Sequence, residues 1–156
     1  DPKIKCRSRM HWYLADQQAR LVDPTAGALV LDRDGYVTET STANFFIVSG
    51  GTILTPSPRI VLGGVSQKVV LELAARLGIP TGAADLQVYD AVNADEAFTS
   101  STPYCMLPVT RINGVDIADG HPGSHLTALM DAWSQKVGLD VRKQIIEGAE
   151  RRRAAM

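Results

Sequence analysis

A lysine near the start of the chain stands in a strongly basic stretch, "KIKCRSR", in which Lys5 is flanked by further cations. On an extended strand Lys3 lies on the same face as Lys5, and Arg7 and Arg9 continue that face. Neighbouring positive charges favour a neutral amine, which is the form that attacks a carbonyl carbon to make a Schiff base. A solvated, basic end of a strand would have the same composition. The residues alone leave both interpretations open.

The segment "LGGVSQK" places two glycines before the expected first turn of a helix. Gly64 allows the backbone to come close to a ligand, and the N–H groups of Val65 and Ser66 lack intrahelical partners. Such a helix start attracts an anion such as phosphate. An ordinary helix start with flexible glycines remains the alternative.

Hydroxyl side chains end a predicted strand in "FTSSTP", residues 98 to 103. Ser101 and Thr102 could donate hydrogen bonds to the same phosphate from the opposite side. Strand ends rich in hydroxyl groups are also common without a ligand, so this segment is only a candidate.

The stretch "GYVTETSTANFF", residues 35 to 46, places a carboxylate directly before an apolar strand. Glu39 and Asn44 stand between β-forming residues and a run that is apolar enough to be buried. Taken by itself, Glu39 is most simply a solvent-facing carboxylate.

The totals of the chain exclude several classes of function. Its 156 residues, 45% hydrophobic and 21% charged, have the composition of one ordinary soluble domain. Sixteen Lys and Arg against seventeen Asp and Glu give a net charge of -1, so we expect neither a nucleic-acid nor a membrane partner. No apolar run approaches the roughly 20 residues of a membrane helix. A small ligand, uncharged or with a single anionic group, fits better.

The chain carries little that favours other chemistries. Cys6 and Cys105 are far apart and no secretory segment is present, so we expect reduced thiols in a cytoplasmic protein. The pair His121 and His125 straddles Pro122, which breaks the helical face that a metal site would need, and we expect no metal. The G-x-S-x-G, P-loop and G-x-G-x-x-G motifs are absent from the sequence.

These candidate residues must be positioned by an α+β fold in one domain. The periodicity predicts helices separated by antiparallel strands, with turns at glycines and at Asn-Gly. The expected elements are a helix over 9–22, a β-meander over 27–56, a helix from Gly64 to Gly78, a short helix or turn over 85–95, strands in "EAFTSST" and "CMLPVTRINGVDI", and a helix from Ser124 to a frayed basic end.

Several of these motifs occur in an order and at a spacing that resemble the class IV aminotransferase family. They are "KIK", "LADQQA", "ALVLDRDGYVTETSTANFFIV", "VLGGVSQKVVLELAARLGIP", "ADEAFTSSTPYCMLPVTRINGVDI" and "GHPG". The family comprises the pyridoxal-phosphate enzymes of fold type IV, including branched-chain and D-amino-acid aminotransferases and aminodeoxychorismate lyases. The resemblance implies the large cofactor domain of that fold over residues 1–140, an antiparallel β pseudo-barrel flanked by helices, followed by a helical tail over 141–156.

The resemblance also implies roles for the residues that could do chemistry. Lys5 matches the lysine that holds pyridoxal 5'-phosphate as a Schiff base and moves the substrate proton. Glu39 matches the glutamate that keeps the pyridine nitrogen protonated, and Asn44 matches an asparagine that shapes the site. Phosphate binding is implied for the Gly64–Ser66 segment through Val65 and Ser66, and for Thr102 with Ser101 beside it.

Three departures from the family pattern affect these expectations. Gln67 stands where the family commonly has an arginine, so any role of the arginine's positive charge is lost here. Arg9 resembles the lyases at a place where branched-chain enzymes have a tyrosine, and it could contact the phenolic oxygen of the cofactor or a substrate carboxylate. Pro103 and Tyr104 give the expected substrate pocket an unusual lip.

The resemblance predicts an enzyme that transfers an amino group between an amino acid and a 2-oxo acid, acting as a homodimer. A lyase activity, which Arg9 favours, is one alternative. A second is a cofactor-binding domain without turnover, because the N-terminal small domain of the family, which closes the cleft, is absent from the sequence.

Overall fold

The computed structural model describes residues 4–5 and 8–154. Within them the chain alternates short antiparallel strands with helices, as the sequence predicts. The elements are α1 (Met10–Val22), β1 (Leu29–Leu31), β2 (Val37–Thr40), β3 (Asn44–Ser49), β4 (Thr52–Pro56), α2 (Val65–Arg76), β5 (Thr81–Ala84), α3 (Val88–Val92), β6 (Glu96–Ser101), β7 (Cys105–Val109), β8 (Arg111–Ile112), β9 (Val115–Asp116), α4 (Ser124–Val137) and α5 (Val141–Ala154).

Seven of the strands form one sheet whose centre is β3. β2 pairs with β3 only where Glu39 faces Asn44, and β4 pairs with it only from Ile47 to Ser49, so these two share one edge of β3. β6 takes the other edge from Asn44 to Val48, and β7 continues beyond it. All these pairs are antiparallel, which confirms the predicted α+β fold with an antiparallel sheet flanked by helices.

The strand β5 was missed by the sequence interpretation. It pairs parallel with β4 and follows it through α2, which is the helical crossover that a parallel pair requires. Its sequence, "TGAA", has no alternation and low β propensity, so the backbone pairing to β4 determines the strand.

Alternation along β3 sends its side chains to two separate cores. Phe45 and Ile47 face a core that includes Val37 and α3. Phe46 and Val48 face a larger core, which α2, α4 and the start of α5 cover. Phe46 stacks on Phe98 of β6 with ring centroids 4.9 Å apart. Asn44 shares the parity of Phe46, so it lies on the face that α2 covers.

The C-terminal helix is interrupted, which corrects the prediction of a continuous one. Gly138 ends α4 in the left-handed region, with φ 70°, and α5 begins at Val141. The Ser134 hydroxyl accepts the N–H of Val141 at 3.1 Å, so the two helices are joined at a fixed turn. The basic end that we expected to be frayed is helical as far as Ala154.

The predicted first helix is present as α1, but its apolar residues are not covered by the rest of the described chain. No residue of α1 is buried, and Leu21 and Val22 are 87% and 90% exposed. The Asp16 carboxylate accepts the N–H of Ala28 at 3.0 Å and ties the helix to the entry of β1. Trp133, by contrast, is buried in the larger core.

Candidate active site

An open cavity of about 450 Å³ lies where the ends of β2 and β6, the start of β3 and the N-terminus of α2 meet. It brings together most of the residues that the sequence analysis singles out. Those that border it are Lys5, Arg9, Glu39, Asn44, Gly64, Val65, Ser66, Ser101 and Thr102. Pro103 and Tyr104 lie outside the lining, because the turn that closes on the Ser101 carbonyl carries them past the strand end.

Glu39 is held by two neighbours rather than by solvent. One carboxylate oxygen accepts the N–H of Leu62 at 3.3 Å, and the other faces the Asn44 side-chain amide at 3.4 Å. Burial raises the pKa of Glu39, against the opposing effects of the Leu62 N–H and the Arg9 guanidinium. The interpretation of Glu39 as a solvent-facing carboxylate is therefore wrong.

Asn44 connects Glu39 to the loop before α2. Its amide nitrogen donates to the Leu62 carbonyl at 2.8 Å. Its amide oxygen lies so close to Gly64 that a Cβ there would overlap it, whereas a Cβ on Gly63 would meet nothing. Glycine is required at position 64 because the Asn44 side chain needs the space, and not because of an unusual backbone angle, since its φ is -77°.

The N-terminus of α2 opens onto the cavity. Val65 and Ser66 are its first two residues, so their N–H groups have no intrahelical acceptor. The Gln67 side chain is buried and accepts the Gly64 N–H at 3.2 Å, while its amide donates to the Thr55 hydroxyl at 3.1 Å. Gln67, the departure from the family pattern, therefore fixes the helix start to β4.

Three hydroxyl residues at the end of β6 have different environments. The Ser101 hydroxyl donates to the Thr42 carbonyl at 2.8 Å, and Thr102 is exposed at the cavity mouth. The Ser100 hydroxyl is buried and has no hydrogen-bond partner among the described residues. Ser100 also borders the cavity, and the sequence analysis missed it. The register that pairs Ser100 with Asn44 distinguishes it from Ser101, and the sequence alone does not give that register.

The start of the chain forms the remaining wall. Ile4 and Lys5 have irregular backbone and are not in a strand, which corrects that expectation, and both border the cavity. Lys3, Cys6 and Arg7 lie outside the described residues. Arg9 begins α1 and lies near enough to Glu39 to lower its pKa, although burial has the larger and opposite effect.

Two aromatic residues of α1 also border the cavity and were missed as site residues. The His11 and Trp12 rings lie 5.1 Å apart in the first turn of the helix. Their position six and seven residues after Lys5 was the only signal in the sequence.

Other kinds of site are not found in the described part of the chain. No three His, Cys, Asp or Glu side chains there come close enough together to hold a metal ion. Cys105 is a free thiol whose pKa is raised by burial. None of the helices between Met10 and Ala154 has the length and hydropathy needed to cross a membrane.

The donor and acceptor groups of the cavity fit pyridoxal 5'-phosphate. A partly buried carboxylate, Glu39, suits a basic ring nitrogen, and the helix start at Val65 and Ser66 suits a phosphate. Lys5 provides an amine at the wall of the same cavity, and the unpartnered Ser100 hydroxyl provides a further donor. The residues present therefore match the two polar ends of this cofactor.

Comparison with known sequences shows the family. The profile described as "Amino-transferase class IV" matches residues 1–112. The chain belongs to the class IV aminotransferases.

Individual relatives show how much of their own length the chain covers. The D-alanine aminotransferase of Listeria innocua is 38% identical over 109 residues, which are 69% of this chain and 38% of that protein. The branched-chain amino acid aminotransferase of Escherichia coli has a TM-score of 0.73 and 26% identity, covering 84% of this chain and 43% of that one. Another branched-chain amino acid aminotransferase, from T.th. and solved with pyridoxamine 5'-phosphate, has a TM-score of 0.75 and 28% identity, covering 81% of this chain and 42% of that one.

A further relative shows the fold alone. A Legionella pneumophila protein provisionally described as a 4-amino-4-deoxychorismate lyase has a TM-score of 0.77 at 20% identity, covering 85% of this chain and 49% of that one. The chain thus spans less than half the length of each of these relatives.

Proposed function

We propose that the cavity binds pyridoxal 5'-phosphate and that the chain transfers an amino group between an amino acid and a 2-oxo acid. The observation that carries this proposal is the position of Glu39, a partly buried carboxylate with a raised pKa in the same cavity as Lys5 and the α2 N-terminus. When bound, the cofactor supplies an aldehyde that condenses with an amine, with release of water, and a ring that accepts the electron pair left by the substrate α proton.

The residues of the chain divide this work by position. The amine of Lys5 binds the cofactor and moves the substrate proton, because it is the amine at the cavity wall. Glu39 keeps the ring nitrogen protonated. The positive charge of that nitrogen offsets the unfavourable burial of the Glu39 carboxylate. The free N–H groups of Val65 and Ser66, with the Thr102 hydroxyl, bind the phosphate.

A lyase is the second candidate, and Arg9 is the observation that favours it. Its guanidinium lies near Glu39 and borders the cavity, where it can bind a substrate carboxylate or the phenolic oxygen of the cofactor. The substrate roles of Pro103 and Tyr104 at the lip remain predictions.

A cofactor-binding domain without turnover is the third candidate. It is favoured by the exposure of Lys5, Val65 and Thr102, which leaves one side of the cavity facing solvent. An open site admits water and holds a substrate less firmly than a closed one.

We also propose that the chain acts as a homodimer in the cytoplasm. The exposed apolar residues of α1, among them Tyr13, Leu14 and Leu21, support an interface with a second copy. Sedimentation of the cofactor-loaded chain tests this, with a dimer expected and a monomer at all concentrations as the contrary result.

A single-turnover assay tests the proposed reaction. The chain loaded with pyridoxal phosphate is mixed separately with D-alanine, L-leucine and 4-amino-4-deoxychorismate, and the organic acids formed are measured by mass spectrometry. A 2-oxo acid from an amino acid, in an amount equal to the loaded sites, supports transamination. Consumption of 4-amino-4-deoxychorismate alone supports the lyase, and no reaction with any of them supports the domain without turnover.

A further inference from the structure

The Ser100 hydroxyl is a buried polar group at the wall of the cavity. Ser100 is 1% exposed, and its oxygen has no hydrogen-bond partner among the described residues. A buried hydroxyl without a partner is unfavourable, because it has lost its hydrogen bonds to water and gained none from the protein. A ligand in the cavity that Ser100 borders would supply the missing partner.

The strand register places Ser100 in one row with Glu39 and Asn44. Glu39 faces Asn44 across β2 and β3, and Asn44 faces Ser100 across β3 and β6. Residues paired in this way point to the same side of a sheet, and two strand spacings separate the ends of the row by about 10 Å. Ser100 therefore lies at the far end of the row from the carboxylate.

The groups proposed to bind the phosphate border the same cavity as Ser100. α2 packs against β6, and its first residues, Val65 and Ser66, line the cavity together with Ser100 and Thr102. A phosphate held by the helix start therefore occupies the cavity that Ser100 borders, where a hydroxyl group can donate to it.

The neighbouring Ser101 does not provide that donor. Its only hydroxyl hydrogen is given to the Thr42 carbonyl at 2.8 Å, which fastens β6 to the turn between β2 and β3. The Ser100 hydrogen is uncommitted within the described chain. A serine side chain has three staggered positions about its Cα–Cβ bond, so one rotation can direct the oxygen toward a ligand.

We propose that Ser100 is a further cofactor-binding residue, and that its hydroxyl donates a hydrogen bond to a phosphate oxygen of the bound cofactor. This assignment rests on the proposed function. It gives Ser101 a different task, which is to hold the turn at Thr42.

The substitution Ser100→Ala separates this role from a merely structural one. It removes an unsatisfied group, so the melting temperature of the unliganded chain stays the same or rises. It also removes a hydrogen bond to a charged phosphate, so the dissociation constant for pyridoxal phosphate, measured by absorbance titration, increases about tenfold or more. A structural serine would not give these opposite effects.

Pyridoxal, which lacks the phosphate, identifies the atom that is contacted. Ser100→Ala and the wild type should bind pyridoxal with equal affinity. The affinity of Ser100→Ala for inorganic phosphate, measured by competition, should be lower than that of the wild type, as is expected for pyridoxal phosphate. A loss of pyridoxal affinity as large as that of pyridoxal phosphate would overturn the phosphate contact.

Two serine variants serve as controls. Ser57→Ala removes another buried serine, one that does not border the cavity, and should leave the affinity unchanged. Ser101→Ala breaks the bond to Thr42 and should lower the melting temperature of the unliganded chain. If the wild type binds pyridoxal phosphate and Ser100→Ala binds it equally well, the role of Ser100 is wrong. If the wild type does not bind pyridoxal phosphate, the proposed function itself is wrong.

Discussion

Glu39 illustrates, at the scale of a single residue, how a binding site can reduce the stability of the empty protein. Its carboxylate is partly buried, and the Leu62 N–H and the Asn44 amide do not offset that burial fully, since its pKa is raised. The unfavourable contribution is absent below the ordinary pKa of a glutamate and complete above the raised pKa of the folded state. A positively charged ring nitrogen bound beside Glu39 would reverse it.

We predict that Glu39→Gln stabilises the unliganded chain and impairs catalysis. At neutral pH the free energy of unfolding should rise by at most about 1 kcal/mol, because the side chain is only partly shielded from water. The cofactor should still bond to Lys5, but the half-reaction should slow about tenfold or more, because the ring nitrogen loses its carboxylate. Urea unfolding at several pH values and single-turnover rates measure the two effects.

The exposed Glu150 on α5 provides the control for this prediction. Glu150→Gln should leave both the stability and the rate unchanged. If the unfolding free energy varies with pH in Glu39→Gln just as it does in the wild type, burial of the Glu39 carboxylate does not affect stability. If the rate of the half-reaction is unchanged, Glu39 does not act at the ring nitrogen.

Substitution by alanine should have very different effects on stability at two adjacent glycines. Gly64→Ala forces the Asn44 amide to move and disturbs its bond to Leu62, so we expect a loss of about 1–3 kcal/mol and weaker cofactor binding. Gly63→Ala meets no atom within 4 Å and should change little. Thermal melting with and without pyridoxal phosphate measures both. Equal effects at the two positions would show that Asn44 does not determine the need for glycine.

At the residue scale the sequence analysis selected residues that border one cavity but did not predict their contacts. The resemblance brought Lys5, Glu39 and Thr102 to attention, and the structure places all three at one cavity. The contacts of Glu39 with Leu62 and of Gln67 with Thr55 join distant segments, and no local pattern encodes them. Ser100 differs from Ser101 only through strand parity, which needs the register.

At the scale of the elements, one buried carboxylate joins β6 to α4. Glu96 accepts the N–H groups of His125 at 2.9 Å and Leu126 at 3.1 Å, and it contacts the His125 ring nitrogen at 2.8 Å. Gly123 directly precedes the helix, and a Cβ on this residue would overlap the Glu96 side chain. A negative charge at this position satisfies free N–H groups and the helix dipole together.

We predict that Glu96→Gln destabilises the chain by about 1–3 kcal/mol near neutral pH, since the amide NH₂ cannot accept the helix N–H groups. Burial has the largest single effect and raises the pKa of Glu96, but the hydrogen bonds from His125 and Leu126 together outweigh it and lower that pKa. The stabilisation is therefore present above the ordinary pKa of a glutamate and is lost as the pH falls through the lowered value.

Unfolding free energies of the wild type and Glu96→Gln between acidic and neutral pH measure this dependence. The difference between the two proteins should shrink as the pH falls through that range. Glu72→Gln is the control, because that carboxylate is half exposed and its ion pair with Lys136 contributes little. A difference between wild type and Glu96→Gln that is constant with pH would show that the charge of Glu96 does not hold α4.

The elements that hydrophobic periodicity predicted correctly are those that bury one face. α2, α4 and the strands β3 and β6 bury regularly spaced apolar residues in one core. β5 and the break at Gly138 were missed because a parallel backbone pairing defines the first and a single left-handed residue defines the second. The helix α1 was predicted correctly, but the side it would bury has no cover within the described chain.

At the scale of the whole molecule, the chain brings the proposed cofactor-binding groups to one cavity and spans less than half the length of its relatives. Composition, charge and hydrophobic periodicity predicted one α+β domain without a broad charged surface, and the resemblance predicted the family. Within the described residues one side of the cavity faces solvent and several apolar residues of α1 are exposed, which the helical periodicity of α1 alone did not predict.

The proposed function requires that pyridoxal 5'-phosphate bonds to Lys5 in this cavity. The full chain is incubated with one equivalent of pyridoxal phosphate and reduced with borohydride, which fixes the bond, and the labelled peptide is then identified by mass spectrometry. We expect one label per chain on Lys5, retained in the exposed-lysine control Lys68→Ala and lost in Lys5→Ala. A label spread over several lysines, or one that persists in Lys5→Ala, would contradict it.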